Sequence, residues 1–365
     1  MRTEAGLRGY LLEECLAWLL RASGYDLLTA ADDTEVLDVR SSDLIIRGRG
    51  AWHQADVLGE FLYTPPFSLP VRLFVEAKFL KARVDLATVR NGHGVVHDVN
   101  ENLVVTSPRR KTGGPVAKGT GARRIRARYR YSYAVFSTSG FTADALNYAL
   151  AHQISLVDLS VPAFEPLRAA IYRAAQEIRL VARTLPAGEV PALRRVRTYL
   201  REILGIPGHR SDGPDLPQWC SAALDRLAIR LQGGDAPGVI VAFPAAPFVL
   251  GLVARSRQAF FDYCRDHPTH RVDLMRERPA SAAQTTGKYP VWRLRSHQDT
   301  DAYAVTFGLP PQIEDWILEG DEIRRRASWV EANLLSSMTV YWMDDRLGHA
   351  HTFQLTYDPR EITRY

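Results

Sequence analysis

His53-Gln54-Ala55-Asp56-Val57-Leu58 and Leu73-Phe74-Val75-Glu76-Ala77-Lys78-Phe79 decide how this chain is read; nineteen residues separate the two acids. Each acid lies in or beside a short apolar run with strand character. Side chains alternate along a strand, so Glu76 and Lys78 project together while Ala77 points away. Two carboxylates and an ammonium on neighbouring strands are costly beside apolar surface unless a cation sits between the acids. Hard oxygen ligands with a spare lysine suit Mg²⁺-assisted hydrolysis of a phosphodiester. The plain alternatives are a solvent-facing strand aspartate and an ordinary Glu76–Lys78 salt bridge.

Working outward, residues 5–23 read as an amphipathic helix, with Leu7, Leu11, Leu12, Cys15, Leu16, Leu19 and Leu20 on one face and Gly24 closing it. Short strands are predicted at 36–39 and 44–47, with a turn at 48–50 delivering the chain to Asp56. A strand over 71–79 carries Glu76 and Lys78. A helix follows at 84–104, with an interruption expected at Gly92–Gly94. Residues 129–136 read as a strand, Thr142 as a helix cap with Phe141 and Leu146 as its staple, and 154–159 as a parallel strand completing a crossover unit.

The Asp-x(19)-Glu-x-Lys pattern resembles the PD-(D/E)xK nuclease superfamily. Its flanks resemble the Mrr-like restriction endonucleases. The first helix, Gly9-Tyr10-Leu11-Leu12-Glu13-Glu14-Cys15-Leu16-Ala17-Trp18-Leu19-Leu20-Arg21-Ala22-Ser23-Gly24-Tyr25, is similar to theirs; so are the closing segments Ala134–Ala149 and Ile154–Asp158. The resemblance covers about residues 5–160. It implies an α/β restriction-endonuclease-like core, a central mixed sheet flanked by helices. It also implies Mg²⁺ as cofactor, with Mn²⁺ as a substitute. Asp56 becomes the central metal ligand, Glu76 the second, and the Ala77 carbonyl the completion of the oxygen set. Lys78 would orient or deprotonate the attacking water. Glu13 would support the metal shell, the register leaving Glu14 as the alternative. The family often has a Gly-Gly-Ile run before its aspartate, where this chain has Trp52-His53-Gln54-Ala55. Gln54 is placed to bond a phosphate or the water, and His53 reads as a surface residue. The implied activity is that of a metal-dependent DNA endonuclease in restriction or anti-phage defence. A non-catalytic DNA-binding or scaffold subunit, or an RNA nuclease using the same site, are the competing readings.

The 365 residues are 46% hydrophobic and 24% charged, an ordinary globular balance. No apolar run reaches the roughly 18 residues of a membrane span. Residues 1–4 carry no export signal, and Cys15, Cys220 and Cys264 are scattered without a C-x-x-C pair. The expectation is a cytoplasmic protein with reduced thiols and no zinc. The net charge is +5, yet nine basic residues lie between 109 and 130 with no acid, so the remainder is −4 (5 minus 9). Arg109, Arg110, Lys111, Lys118, Arg123, Arg124, Arg126, Arg128 and Arg130 therefore read as a phosphate-contacting arm rather than a solvated loop alone. DNA is the expected partner, with a homodimer or a defence-system protein beside it. Elbow, zincin and dinucleotide fingerprints are missing from the sequence.

Residues 1–182 read as the nuclease domain and 183–216, rich in proline and glycine, as a linker holding one short basic helix. Residues 217–365 read as a separate α+β domain for specificity, sensing or partner binding. It is expected to contain helices at 219–231, 256–266 and 311–335, and strands near 238–243, 247–254, 271–276, 289–295, 302–308, 338–344 and 352–358.

Overall fold

The computed structural model describes residues 4–40, 43–62, 69–102, 128–161, 164–206, 216–232, 238–244, 250–277, 291–308, 337–344 and 349–357. The first half runs α1 (Glu4–Ala22), β1 (Tyr25–Leu27), β2 (Leu37–Arg40), β3 (Asp43–Arg47), β4 (Trp52–Ala55), β5 (Val57–Phe61), β6 (Val71–Lys78), α2 (Leu86–Asn100), β7 (Arg130–Ser137), α3 (Ala143–Ala151), β8 (Ser155–Asp158) and α4 (Glu165–Ala182). β1-β5-β6-β7-β8 form a mixed sheet, antiparallel from β1 to β6 and parallel from β6 to β8. β2-β3-β4 form a small antiparallel sheet beside it.

The seven apolar residues expected on one face of α1 are all buried. Gly24 takes φ 85°, the left-handed conformation that glycine adopts without a Cβ penalty, and ends the helix through its amide on the Arg21 carbonyl. Leu73 and Val75 of β6 face a cluster shared with α1 and α4. Phe74 faces a second cluster that holds Val89, Val99, Ala145 and Leu146 of α2 and α3. Burial on both sides is the usual lot of a central parallel strand, whose apolar run follows from it. Asp85 caps α2 and Thr142 caps α3, each accepting the amide three residues on.

α2 is continuous through Gly92, where an interruption was expected. A Cβ there would collide with the Tyr133 ring, so the glycine lets α2 approach β7 rather than breaking the helix.

The second half holds α5 (Leu193–Ile203), α6 (Gln218–Gln232), β9 (Gly238–Pro244), β10 (Leu250–Ala254), α7 (Arg257–Asp266), β11 (Thr269–Glu277), β12 (Val291–Ser296), β13 (Ala304–Gly308), β14 (Ser337–Asp344) and β15 (His349–Thr356). Its strands close into a seven-stranded barrel, β10-β13-β12-β11-β15-β14-β9. All pairs are antiparallel except β11 with β15. Trp292, Leu294, Val305, Phe307 and Phe353 join Phe260, Phe261 and Cys264 of α7 in the buried core of this half. The α+β expectation thus becomes a barrel with one described helix against it; the helix expected at 311–335 lies outside the described residues.

The described part of the 183–216 segment, residues 183–206 and 216, packs into the fold. Val196, Leu200, Leu204, Ile206 and Leu216 are buried in the same cluster as α1, α4 and α6, which also takes in Val241 and Val253 of the barrel. Its proline and glycine content signalled a linker, but the apolar face of α5 decides otherwise. An aromatic cluster joins sheet to barrel: Phe61 lies 4.7 Å from Tyr341 and 5.9 Å from Phe243, and Tyr25 lies 5.0 Å from Phe61. Among the described residues no helix is long and apolar enough to cross a membrane.

Candidate active site

β4 and β5 belong to different sheets, and the chain bends at Asp56 between them. β5 pairs with β6 only as far as Val57–Val75, so the next outward amide of β6, that of Ala77, has no strand partner. Asp56 Oδ2 accepts it at 2.8 Å, a side chain standing in for the missing ladder bond. The N–H and C=O of one strand residue point to the same side, so the Ala77 carbonyl is also directed towards Asp56. Lys78 instead faces β7, its carbonyl accepting the Thr138 amide at 3.0 Å.

Glu76 and Lys78 share a face as the alternation demands, and they form a close ion pair. The other Glu76 oxygen accepts the Tyr133 hydroxyl. Burial first, and then Glu76, push the Tyr133 phenol far up, so it stays a donor. Burial also raises the Asp56 carboxyl, reinforced by Glu76 and opposed by the Ala77 amide, Lys78 and Arg197.

A second group of charges adjoins the first. Glu13 is mostly buried, and desolvation followed by the Asp56 charge lifts its carboxyl from 4.5 to about 8. Glu13 therefore keeps its proton near neutrality. Arg197 of α5 lies 3.3 Å from Glu13 and 3.4 Å from Asp43, and also bonds Glu14. Arg201 bonds the other Glu14 oxygen at 2.5 Å. Glu14 is 1% exposed and fully engaged by these two guanidiniums, whereas Glu13 is coupled to Asp56. Of the two glutamates that the sequence left open, Glu13 is the one whose carboxyl feels the Asp56 charge. Tyr10, one turn earlier on α1, feels Asp43, Glu13 and Asp56, and its hydroxyl is raised, chiefly by burial.

Arg197 and Tyr133 were missed by sequence reasoning. The signal for Arg197 was present: it adjoins Val196, and Val196 and Leu200 repeat at four, so a basic helix with a buried stripe was there to be seen. Tyr133 gave none, since a tyrosine in an apolar strand reads as core.

The remaining expected residues divide differently. Gln54 is exposed on β4 and pairs with Ile45. The bend at Asp56 breaks the alternation that would have set the two on one face. His53 is not a bare surface residue: its Nε2 lies 2.8 Å from Asp98, which also accepts the Gly50 amide and fastens the turn before β4. Thr138 and Ser139 follow β7. They bond the carbonyls of Lys78, Leu80 and Ala82 and secure the exit of β6. Of the basic segment, Arg109, Arg110, Lys111, Lys118, Arg123, Arg124 and Arg126 lie outside the described residues, while Arg128 bonds the Asn100 carbonyl at 3.1 Å. Cys15, Cys220 and Cys264 are buried free thiols.

Asp56, Glu76 and the Ala77 carbonyl are hard oxygen donors, the chemistry that Mg²⁺ prefers. Among the described residues no group of three or more acidic, histidine or cysteine side chains is gathered closely enough to hold a metal. The two Glu76 oxygens are engaged by Lys78 and Tyr133.

No family model matches the chain, and no curated protein does. A solved structure of a protein of unknown function, AF1548, aligns with 54% of this chain and 98% of its own at 15% identity and a TM-score of 0.27, a likeness too slight to carry an argument.

Proposed function

We propose that the chain is a metal-dependent phosphodiester hydrolase acting on DNA, with a restriction-endonuclease-like core formed by α1 to α4 and their sheet. A role in restriction or other defence follows from the Mrr-like resemblance alone. One observation carries the reading: Asp56, Ala77, Glu76 and Lys78 converge at the end of β6, and Asp56 and Glu76 interact although both are partly buried. Uncompensated carboxylates are costly there, and the surrounding donors offset only part of that cost.

Asp56 and Glu76 would hold the cation with the Ala77 carbonyl, and Glu76 would exchange Tyr133 or Lys78 for it. When bound, the ion supplies Lewis-acid polarisation of the scissile phosphate and eases ionisation of water. Lys78, released from Glu76, would orient the attacking water and offset charge as the phosphorus becomes five-coordinate. Protonated Glu13 would donate a hydrogen bond into the Asp56 group and leave one negative charge fewer to bury. Arg197 would hold Glu13 and Asp43 in position. The basic segment would contact backbone phosphates.

The alternative, a DNA-binding or scaffold subunit without catalysis, draws support from the same arrangement. Lys78, Tyr133 and Arg197 already give Glu76 and Glu13 partners without a cation. Incubation of plasmid, single-stranded DNA and RNA with the full chain in Mg²⁺, Mn²⁺ or EDTA separates the two. Metal-dependent cleavage that falls at least about 10²-fold in Lys78→Ala, with DNA affinity held within a few-fold, supports the hydrolase. Binding without cleavage under every condition rejects it.

A further inference from the structure

Past the end of β6 the chain leaves a second concavity. Phe79, Leu80 and Thr138 form one wall and the first turns of α4 the other, enclosing about 330 Å³. That volume lies within the range of about 300–1,000 Å³ typical of small-molecule sites. Phe79 packs with the α1 side of the sheet, whereas Lys78 joins Glu76 and Tyr133 opposite it, so this cleft is distinct from the Asp56 group.

Its lining is both aromatic and cationic. The Arg8 guanidinium lies 5.2 Å from the Phe79 ring centre and 5.4 Å from that of Tyr172. Arg168 and Arg173 line the α4 wall, and Tyr172 beside them is 43% exposed. Among the described residues the Nε atoms of Arg8 and Arg168 are buried without a hydrogen-bond acceptor. Glu165 is the one acid in the lining. It pairs with Arg168 at 2.6 Å but is itself 61% exposed, so it offsets little of the positive potential. Two lining guanidiniums, a third (Arg8) against the two rings, and two acids near Arg168, Glu165 in the lining and Asp158 beyond it, form a combination suited to a ligand that is planar at one end and anionic at the other.

We propose that this cleft is a nucleotide-binding site: the base stacks on Tyr172 and the phosphate is held by Arg168 and Arg173, with Arg8 supporting both rings. The ligand is either a free mononucleotide or one nucleotide of a single-stranded chain, the recognised chemistry being the same.

The test is equilibrium binding to the native full chain in EDTA, which removes metal-dependent cleavage from the measurement. The probes are adenosine 5′-monophosphate, adenosine, inorganic phosphate and a short single-stranded deoxyoligonucleotide. Saturable binding of the mononucleotide or the oligonucleotide, tighter than that of adenosine or phosphate, is expected. Tyr172→Ala and Arg173→Glu, both exposed positions whose change leaves the core intact, should each weaken it by about tenfold or more. A mononucleotide bound as tightly as the oligonucleotide identifies the free ligand as the source; a much tighter oligonucleotide whose affinity falls in Tyr172→Ala and Arg173→Glu identifies the chain. If no nucleotide probe saturates, or if both variants bind as the native protein does, the proposal is overturned. Cleavage is scored separately on Lys78→Ala, so a nuclease with an inert cleft and a nucleotide binder without nuclease activity give different results.

Discussion

Asp56 and Glu13 carry the electrostatic tension of the candidate site. Desolvation and the Asp56 charge raise Glu13 from 4.5 to about 8 in the folded chain. A carboxyl raised on folding contributes stability that is fully present below its unfolded pKa and is lost as pH climbs through the folded one. The native chain should therefore lose stability between about pH 4.5 and 8 through this residue. Glu13→Gln keeps the shape and hydrogen-bonding capacity without the titration. Urea midpoints taken at both ends of that window should fall with pH in the native chain and change less in the variant. Equal pH dependence in both would mean that Glu13 ionises freely and does not share the Asp56 charge.

Among the elements, α2 and α5 show how distant sequence sets up the site. Gly92 lets α2 close on the Tyr133 ring, and Tyr133 in turn donates to Glu76. Gly92→Ala gains helix propensity, which alone would stabilise by up to about 1 kcal/mol. The collision with Tyr133 outweighs it, and a net loss of about 1–2 kcal/mol is expected from overpacking. Denaturant unfolding measures this, and a stabilised variant would show that Tyr133 moves aside freely. α5 does the complementary task from the other side, burying Val196 and Leu200 while presenting Arg197 to Glu13, Glu14 and Asp43.

For the whole molecule, the buried cluster running from α1 through α4, α5 and α6 to Val241 and Val253 argues against a detachable first half. A fragment of residues 1–182 would expose the α1 and α4 surfaces that these elements cover, and its acids would lack Arg197. It is expected to unfold without a sharp transition and to show no cleavage, read by near-ultraviolet circular dichroism in urea and by the plasmid assay. A cooperatively folded fragment would restore the independent nuclease domain that the sequence suggests. The long-range charge pattern makes a separate prediction. Changing Arg123, Arg124 and Arg126 together to glutamate should weaken DNA binding and lower the salt slope by about 0.9 for each phosphate that is no longer neutralised. An unchanged slope would mean that the basic segment does not meet the substrate.

Sequence alone determined the local elements. The α1 stripe, the alternation that pairs Glu76 with Lys78, the cap at Thr142 and the strand expected at 289–295, described over Val291–Ser296, depend on neighbours within a few residues. Helical and strand periods record such neighbours directly. Tertiary structure alone decided which surfaces meet. The strand switch at Asp56, the Tyr133–Glu76 bond, the arrival of Arg197 from beyond residue 183 and barrel closure through β9–β14 and β11–β15 all join residues far apart in the chain. No local period encodes those pairings. They are selected by the apolar area that only the assembled chain can bury, and a segment rich in proline and glycine reads as a linker until that burial is counted.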